Sequence, residues 1–196
     1  MRTRFAGESR TIGDPELTAD DRAALLILAR QAIAAALAGE APPPLPKAPG
    51  AVLRRGAFVT LIDANGLRGC IGRLAGDRPL GEVVRAVAVS AAEEDPRFPP
   101  VAAAEVRGLT IEISVLSEAA RLDPIDPARI VIGRDGLLVR RAAGPTGVLL
   151  PQVAPEHGWD AEHFLGAACR KAGLSPGAWR EPDTQVFTFQ ADVFGE

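Results

Sequence analysis

One segment constrains the fold of this chain more than any other, because it predicts two strands joined by a tight corner. The strand-like runs are AFVTLID at 57–63 and LRGCIG at 67–72, and Asn65-Gly66 lies between them. An Asn-Gly pair between two such runs favours a type I′ turn and hence a β-hairpin. The sequence therefore predicts an antiparallel sheet that contains this hairpin.

Three segments have the patterns of helices. Apolar residues recur at helical spacing from about 19 to 38, and Thr18 and Asp21 resemble a capping box at the start of that run. A second helix is predicted over Pro79–Ala92 and a third over about Asp160–Ala172. Five prolines between 42 and 49 predict an extended connector, which we interpret as a spacer on the surface. A ligand segment for an SH3-type module is the alternative for it.

The remaining regular segments indicate strands. Single strands are predicted at Leu109–Leu116, Gly147–Leu150 and Gln185–Gln190. A second hairpin is predicted with arms at Ile130–Ile132 and Leu137–Arg140, around an Asp-Gly corner. Hairpins and helices are mixed without strict βαβ alternation, which favours an α+β fold with a mixed, largely antiparallel sheet and flanking helices.

Composition excludes several classes of protein. The chain has 196 residues, 47% of them hydrophobic and 24% charged, as in globular proteins, and apolar runs are too short to cross a bilayer. A net charge of −3 gives no basic surface for a nucleic acid backbone, so neither nucleic acid nor membrane is an expected partner. The N-terminus, MRTRFAGESR, lacks the apolar region of a signal peptide. We therefore expect a cytoplasmic protein with two reduced cysteines.

Cys70 is the first candidate for chemistry. Strict alternation along the second strand of the hairpin places Arg68 and Cys70 on one side, where the guanidinium would favour the thiolate. Gly69 and Gly72 remove bulk, so that another backbone or a ligand can approach. The alternative is a packed core cysteine beside a surface arginine. Cys169 is interpreted as part of the apolar stripe of the third helix.

Two other segments concentrate polar groups. The run DPRFPP at 95–100 holds an acid, a base and an aromatic between prolines, and it forms either a constrained functional loop or a structural turn with a local ion pair. Further on, Gln152, Glu156, His157, Trp159 and His163 lie close together in sequence, without the spacing of any zinc site. No metal and no cofactor are predicted.

The longer motifs resemble a known family. LRGCIG, DPRFPPV, IEISVLS and GVLLPQVAPEHGWDAEHFLGAACRKAGL occur in the order found in the AMME-syndrome candidate gene family, whose prokaryotic members are called AmmeMemoRadiSam system protein A. The resemblance implies a single domain over 17–196 behind an N-terminal tail at 1–16. It also implies two lobes, the larger formed by both chain ends and the smaller by the middle, with LRGCIG near a cavity between them.

The resemblance also implies a pathway shared with a Memo-like protein and a radical SAM protein, although no activity is established for the family. We expect the cleft to bind or process a small anionic substrate or a modified group. A noncatalytic adaptor, and RNA or nucleotide binding, are the alternatives, and a homodimer is left open. The catalytic candidates carried over from the motifs are Cys70, Arg68 and Glu156. The substrate-binding candidates are Gly69, Asp95, Arg97, Phe98, Gln152 and Trp159.

Overall fold

The computed structural model describes residues 16–141 and 144–196, so all but the last residue of the predicted tail lies outside the described residues. Within these ranges the regular structure consists of four α-helices and eight strands, beside four short 3-10 helices. In chain order they are α1 (Ala19–Leu37), β1 (Ala57–Asp63), β2 (Gly66–Arg73), α2 (Leu80–Glu93), β3 (Thr110–Leu116), β4 (Ala120–Arg121), β5 (Gly136–Arg141), β6 (Thr146–Leu149), α3 (Val153–His157), α4 (Ala161–Lys171), β7 (Thr184–Phe189) and β8 (Ala191–Gly195).

Helix α1 begins where its capping signal predicts. The Thr18 hydroxyl accepts a hydrogen bond from the Asp21 N–H, and the Asp21 carboxylate accepts one from the Thr18 N–H. Asp21 is buried and also accepts a hydrogen bond of 2.7 Å from the Gly50 N–H, which is the main reason that its pKa is lowered. The proline-rich connector before Gly50 contains no helix or strand up to Ala48, whose backbone is extended, whereas Pro49 begins a short 3-10 helix. Arg85 of α2 donates to the carbonyl of Pro43.

The first sheet is antiparallel, with the strand order β2-β1-β3-β8. One face packs on α1 and α2 through apolar side chains that alternate along β1 and β3, namely Val59, Leu61, Ile111 and Ile113. The other face, which we call the outer face, carries the alternate positions of these strands. Phe58, Thr60, Cys70 and Glu112 lie on it.

The second sheet is also antiparallel, with the order β4-β7-β5-β6. It has a hydrophobic core of its own, in which Phe164 and Leu165 of α4 pack with Leu137, Val139 and Val186. Two antiparallel sheets with segregated helices confirm the predicted α+β class. The division into two lobes stays a prediction.

The predictions for the two hairpins are each wrong in one detail. The first hairpin forms, but Asp63 pairs with Gly66, and no described residue other than glycine has a positive φ, so the turn at Ala64-Asn65 is not type I′. The Asp63 carboxylate binds the Asn65 N–H, and Gly66 takes the positive φ of 114° instead.

The second error concerns Ile130–Ile132, which is not a strand. The buried Asp135 carboxylate accepts a hydrogen bond from the Val131 N–H, and the Val131 carbonyl accepts hydrogen bonds from the N–H groups of Arg134 and Asp135. These bonds close a turn over 131–135. Strand β5 pairs with β6 and β7 instead.

Candidate functional site

Side chains from a loop cover the outer edge of β2 at Cys70. Strand β2 is the end strand of the first sheet, so its outer backbone groups have no neighbouring strand. The Cys70 N–H donates to the Asp95 carboxylate at 2.8 Å, and Arg97 Nη2 donates to the Cys70 carbonyl at 3.3 Å. Asp95 and Arg97 therefore occupy the hydrogen-bonding positions that a further strand would fill.

The loop that carries these residues follows directly after α2. Its turn is closed by the Phe98 N–H, which donates to the Asp95 carbonyl. Arg97 binds the Asp95 carboxylate through Nε at 2.9 Å and Nη2 at 2.6 Å, and it lies 5.5 Å over the Phe98 ring. The Arg97 guanidinium, with the N–H groups of Cys70 and Arg97, holds the pKa of the Asp95 carboxyl well below its ordinary value despite burial.

Arg68 holds the same loop further along. It is buried, and its guanidinium binds the Glu105 carboxylate at 2.9 Å and the carbonyls of Pro99 and Pro100. The strand register breaks here, because Leu61 faces Gly69 whereas Ile62 faces Leu67. Arg68 is thus the extra residue of a β-bulge. The predicted alternation holds from Gly69 to Gly72 and is wrong for Leu67 and Arg68.

Gly69 lies on the side of the sheet that faces the helices. A Cβ atom at this position would clash with the Ala91 carbonyl oxygen of α2. The missing side chain therefore allows strand and helix backbones to approach each other, so Gly69 serves packing rather than access for a ligand.

Cys70 itself is half-buried on the outer face, in one row with Thr60 and Glu112. Thr60 pairs with Cys70 on β2 and with Glu112 on β3. The Thr60 hydroxyl donates to the Cys70 Sγ at 3.3 Å. Adjacent strands are about 4.8 Å apart, so the backbones of Cys70 and Glu112 are about 10 Å apart with Thr60 between them.

Glu156 approaches this row from the second half of the chain. The pKa of the Glu112 carboxyl is raised, mainly by burial and to a smaller extent by the negative charge of Glu156. Gln152 lies one helical turn before Glu156, and its Oε1 is buried without a hydrogen-bond partner among the described residues. The candidates Gln152, at the start of α3, and Glu156, within α3, therefore lie on the same side of this helix. Glu156 is close enough to Glu112 for their charges to interact.

The remaining candidates lie outside this row. Trp159 is half-buried against the second core, and its ring stacks on His157 at a centroid distance of 4.4 Å. Cys169 is buried in α4, as predicted, and burial raises the pKa of its thiol. Neither cysteine forms a disulfide.

Comparison with known proteins places the chain in a family. The AMMECR1 family profile matches residues 26–194. A protein of Methanothermobacter thermautotrophicus is 45% identical in an alignment of 186 residues that covers 92% of this chain and 96% of that protein. The chain belongs to the AMMECR1 family. Protein TK0174 of Thermococcus kodakarensis is 46% identical in an alignment of 151 residues that covers 73% of this chain and 73% of that protein.

A solved structure of an AMMECR1-family relative has the same fold. The crystal structure of the uncharacterized protein PH0010 from Pyrococcus horikoshii matches with a TM-score of 0.82 and 42% identity, over 88% of this chain and 89% of that one. The family resemblance and the α+β class predicted from the sequence are thereby confirmed. None of the helices described here is both long and apolar enough to span a membrane.

Three residues of the site in this AMMECR1-family chain were not predicted from the sequence. Thr60 and Glu112 are polar positions that alternate with apolar ones in AFVTLID and TIEISVL, so the period of two could have placed both on the outer face. Nothing local identifies Glu105 as the partner of Arg68. No group of three or more metal-ligating side chains is found within 16–141 and 144–196.

Proposed function

We propose that this AMMECR1-family chain binds a small anionic substrate or a modified group on the outer face of the first sheet and processes it through Cys70. The observation that carries the proposal is the row formed by Cys70, Thr60 and Glu112, in which a half-buried thiol accepts a hydrogen bond from Thr60, and Thr60 separates it from an acid of raised pKa. An accessible thiol and an acid of raised pKa are usual components of covalent and proton-transfer catalysis.

Each group has a role in this proposal. The Cys70 sulfur bonds to an electrophilic carbon of the substrate while the bond from that carbon to the departing group breaks. The thiol proton passes to Glu112 or Glu156, which returns it to the departing group, and water then takes the carbon from the sulfur and restores the thiol. The Thr60 hydroxyl stabilises negative charge on the sulfur. Arg97, whose side chain is half-exposed beside the Cys70 carbonyl, supplies positive charge toward an anionic substrate.

Selective alkylation tests the reactivity of Cys70, and the chain carries its own control. Iodoacetamide applied to the native protein should label Cys70 and spare Cys169, which is buried. Mass spectrometry of the two cysteine peptides measures both extents, and unfolded protein should be labelled at both. Thr60→Val should slow the labelling of Cys70, whereas Thr60→Ser should keep it. Equal labelling of the two cysteines in the native state, or none at either, would contradict the proposal.

One observation favours a noncatalytic adaptor as the second candidate function. Arg68, Asp95 and Arg97 are all engaged in holding the 95–105 loop on β2, which suits a rigid binding surface. Thermal-shift screening of anionic metabolites on wild type and Cys70→Ser separates the two functions. A compound that stabilises both proteins equally supports the adaptor, whereas one whose effect or turnover needs the thiol supports the enzyme.

The proposal includes a cytoplasmic location and a pathway with a Memo-like protein and a radical SAM protein. Two free thiols are compatible with a reducing compartment, and the family resemblance supports the pathway. Size-exclusion chromatography of the purified chain with each recombinant partner from the same genome tests direct association. Coelution with neither partner, at concentrations well above those in cells, would restrict the proposal to a shared pathway without a complex.

A further inference from the structure

A cavity lies where the two sheets meet. Its volume is about 320 Å³, and residues before β1, after β2, between β3 and β4, and from β5 and β7 line it. It is separate from the row at Cys70, because its β2-side residue Leu74 lies four positions, or about 13 Å, further along the chain. The Phe58 ring covers Gly72 between the two places.

The wall of this cavity combines an apolar part with a positive part. Leu116, Leu138 and Phe189 contribute apolar surface from both sheets. The charged residues that line it are Arg54, Arg55 and Glu118, so positive charge exceeds negative charge. A pocket of this size with an apolar wall and a few charged groups is typical of small-molecule sites.

Close backbone packing preforms one side of the cavity. A Cβ at Gly56 would lie 2.5 Å from the Leu74 carbonyl oxygen, and one at Gly76 would lie 2.8 Å from the Arg54 carbonyl oxygen. The segments that carry Arg54 and Leu74 can therefore touch only because both positions are glycine. This contact fixes the backbone of Arg54 relative to the apolar wall, which lowers the cost of ordering it around a ligand.

We propose that this cavity binds a small organic anion, a molecule with an apolar body and one carboxylate, phosphate or sulfonate group. The body contacts Leu116, Leu138 and Phe189, and the anionic group binds Arg54. One Arg54 nitrogen donates to the Asp77 carbonyl, and a guanidinium has five N–H donors, so donors remain for an anion. Because both sheets line the cavity, the ligand also stabilises their packing.

Fluorescence titration with 8-anilinonaphthalene-1-sulfonate tests this site, because the probe has the proposed chemistry. Binding to the wild-type chain should saturate at one probe per protein. Octanoate or octyl phosphate should displace it, and the better competitor identifies the preferred anionic group. Octanol should displace it poorly, because it lacks the charge. Arg54→Gln should weaken binding about tenfold, the effect of losing one charge-assisted hydrogen bond worth about 1.4 kcal/mol.

Two tryptophan substitutions locate the binding. Ala119 is exposed and lines the cavity, so Ala119→Trp should block it without disturbing a core. Ala103 is exposed and does not line the cavity, so Ala103→Trp is the matched control and should bind like wild type. Unchanged probe binding by Ala119→Trp, or equal competition by octanol and octanoate, would overturn the proposal. Cys70→Ser should bind the probe normally, which keeps this test independent of the proposed function.

Discussion

Removal of the Asp95 carboxylate should destabilise the chain by about 3 kcal/mol. The carboxylate accepts hydrogen bonds from the N–H groups of Cys70 and Arg97, at 2.8 and 3.1 Å, and each contributes about 1 kcal/mol net. The Arg97 ion pair contributes no more than about 1 kcal/mol, because the guanidinium side chain is 53% exposed and screened by water although the carboxylate is only 3% exposed. Asp95→Asn keeps one acceptor oxygen and should cost about half as much as Asp95→Ala.

Urea denaturation followed by far-UV circular dichroism measures this loss. Circular dichroism is preferred to fluorescence because Trp159 and Trp179 both pack with the second core, away from β2. Asp183→Ala is the matched control, since its exposed carboxylate makes an ion pair with the partly exposed Arg141, and the expected loss is below about 1 kcal/mol. A loss below about 1 kcal/mol for Asp95→Ala would refute the argument that this side chain holds the edge of the sheet.

Three other substitutions test packing, charge and capping. Gly69→Ala should cost at least about 2 kcal/mol because the new methyl group meets the Ala91 carbonyl, whereas Gly108→Ala, in open space, should change stability by less than about 1 kcal/mol in urea denaturation. Glu112→Gln should raise the free energy of unfolding at neutral pH, because a carboxyl whose pKa is raised in the folded state destabilises the fold when it is charged. The increase should shrink as the pH falls through the folded-state pKa, since Glu112 then becomes protonated. An increase that stays constant with pH would contradict the raised pKa of Glu112. Thr18→Ala should cost about 1 kcal/mol in the same assay and Thr18→Ser almost nothing, and equal losses would exclude the hydroxyl as the cap.

Helices and strands that are determined by residues close to them in sequence were predicted well. Helix α1 carries its own capping box, and Gly173 follows α4 with a positive φ of 71°, so neighbouring residues determine where both helices lie. The first hairpin and β3 also follow from alternation within their own segments. In contrast, α3 has five residues, which is too short for a periodic pattern, and it was missed.

The candidate site was predictable only in part, because its geometry depends on contacts between distant segments. The sequence indicated Cys70 and Glu156, but not that Glu156 approaches a carboxyl on β3. The β-bulge at Arg68 also has no local signal, since it arises where the strand must leave regular pairing with β1. A pattern with a period of two predicts faces correctly only while the register is unbroken.

The two motifs LRGCIG and DPRFPP bind each other, and their mutual contacts indicate which of their side chains remain available for a reaction. Arg68 reaches from the strand to carbonyls of the loop, while Asp95 and Arg97 reach from the loop to the backbone of the strand. Each motif thus supplies side chains that hold the other motif in place. This structural role accounts for the charged residues in both motifs without any contact to a substrate. Cys70 differs, since only its backbone takes part in this connection while its thiol lies on the outer face beside Thr60. Chemistry at this site is therefore expected at the thiol, and loss of the charged residues should act first through the position of Cys70.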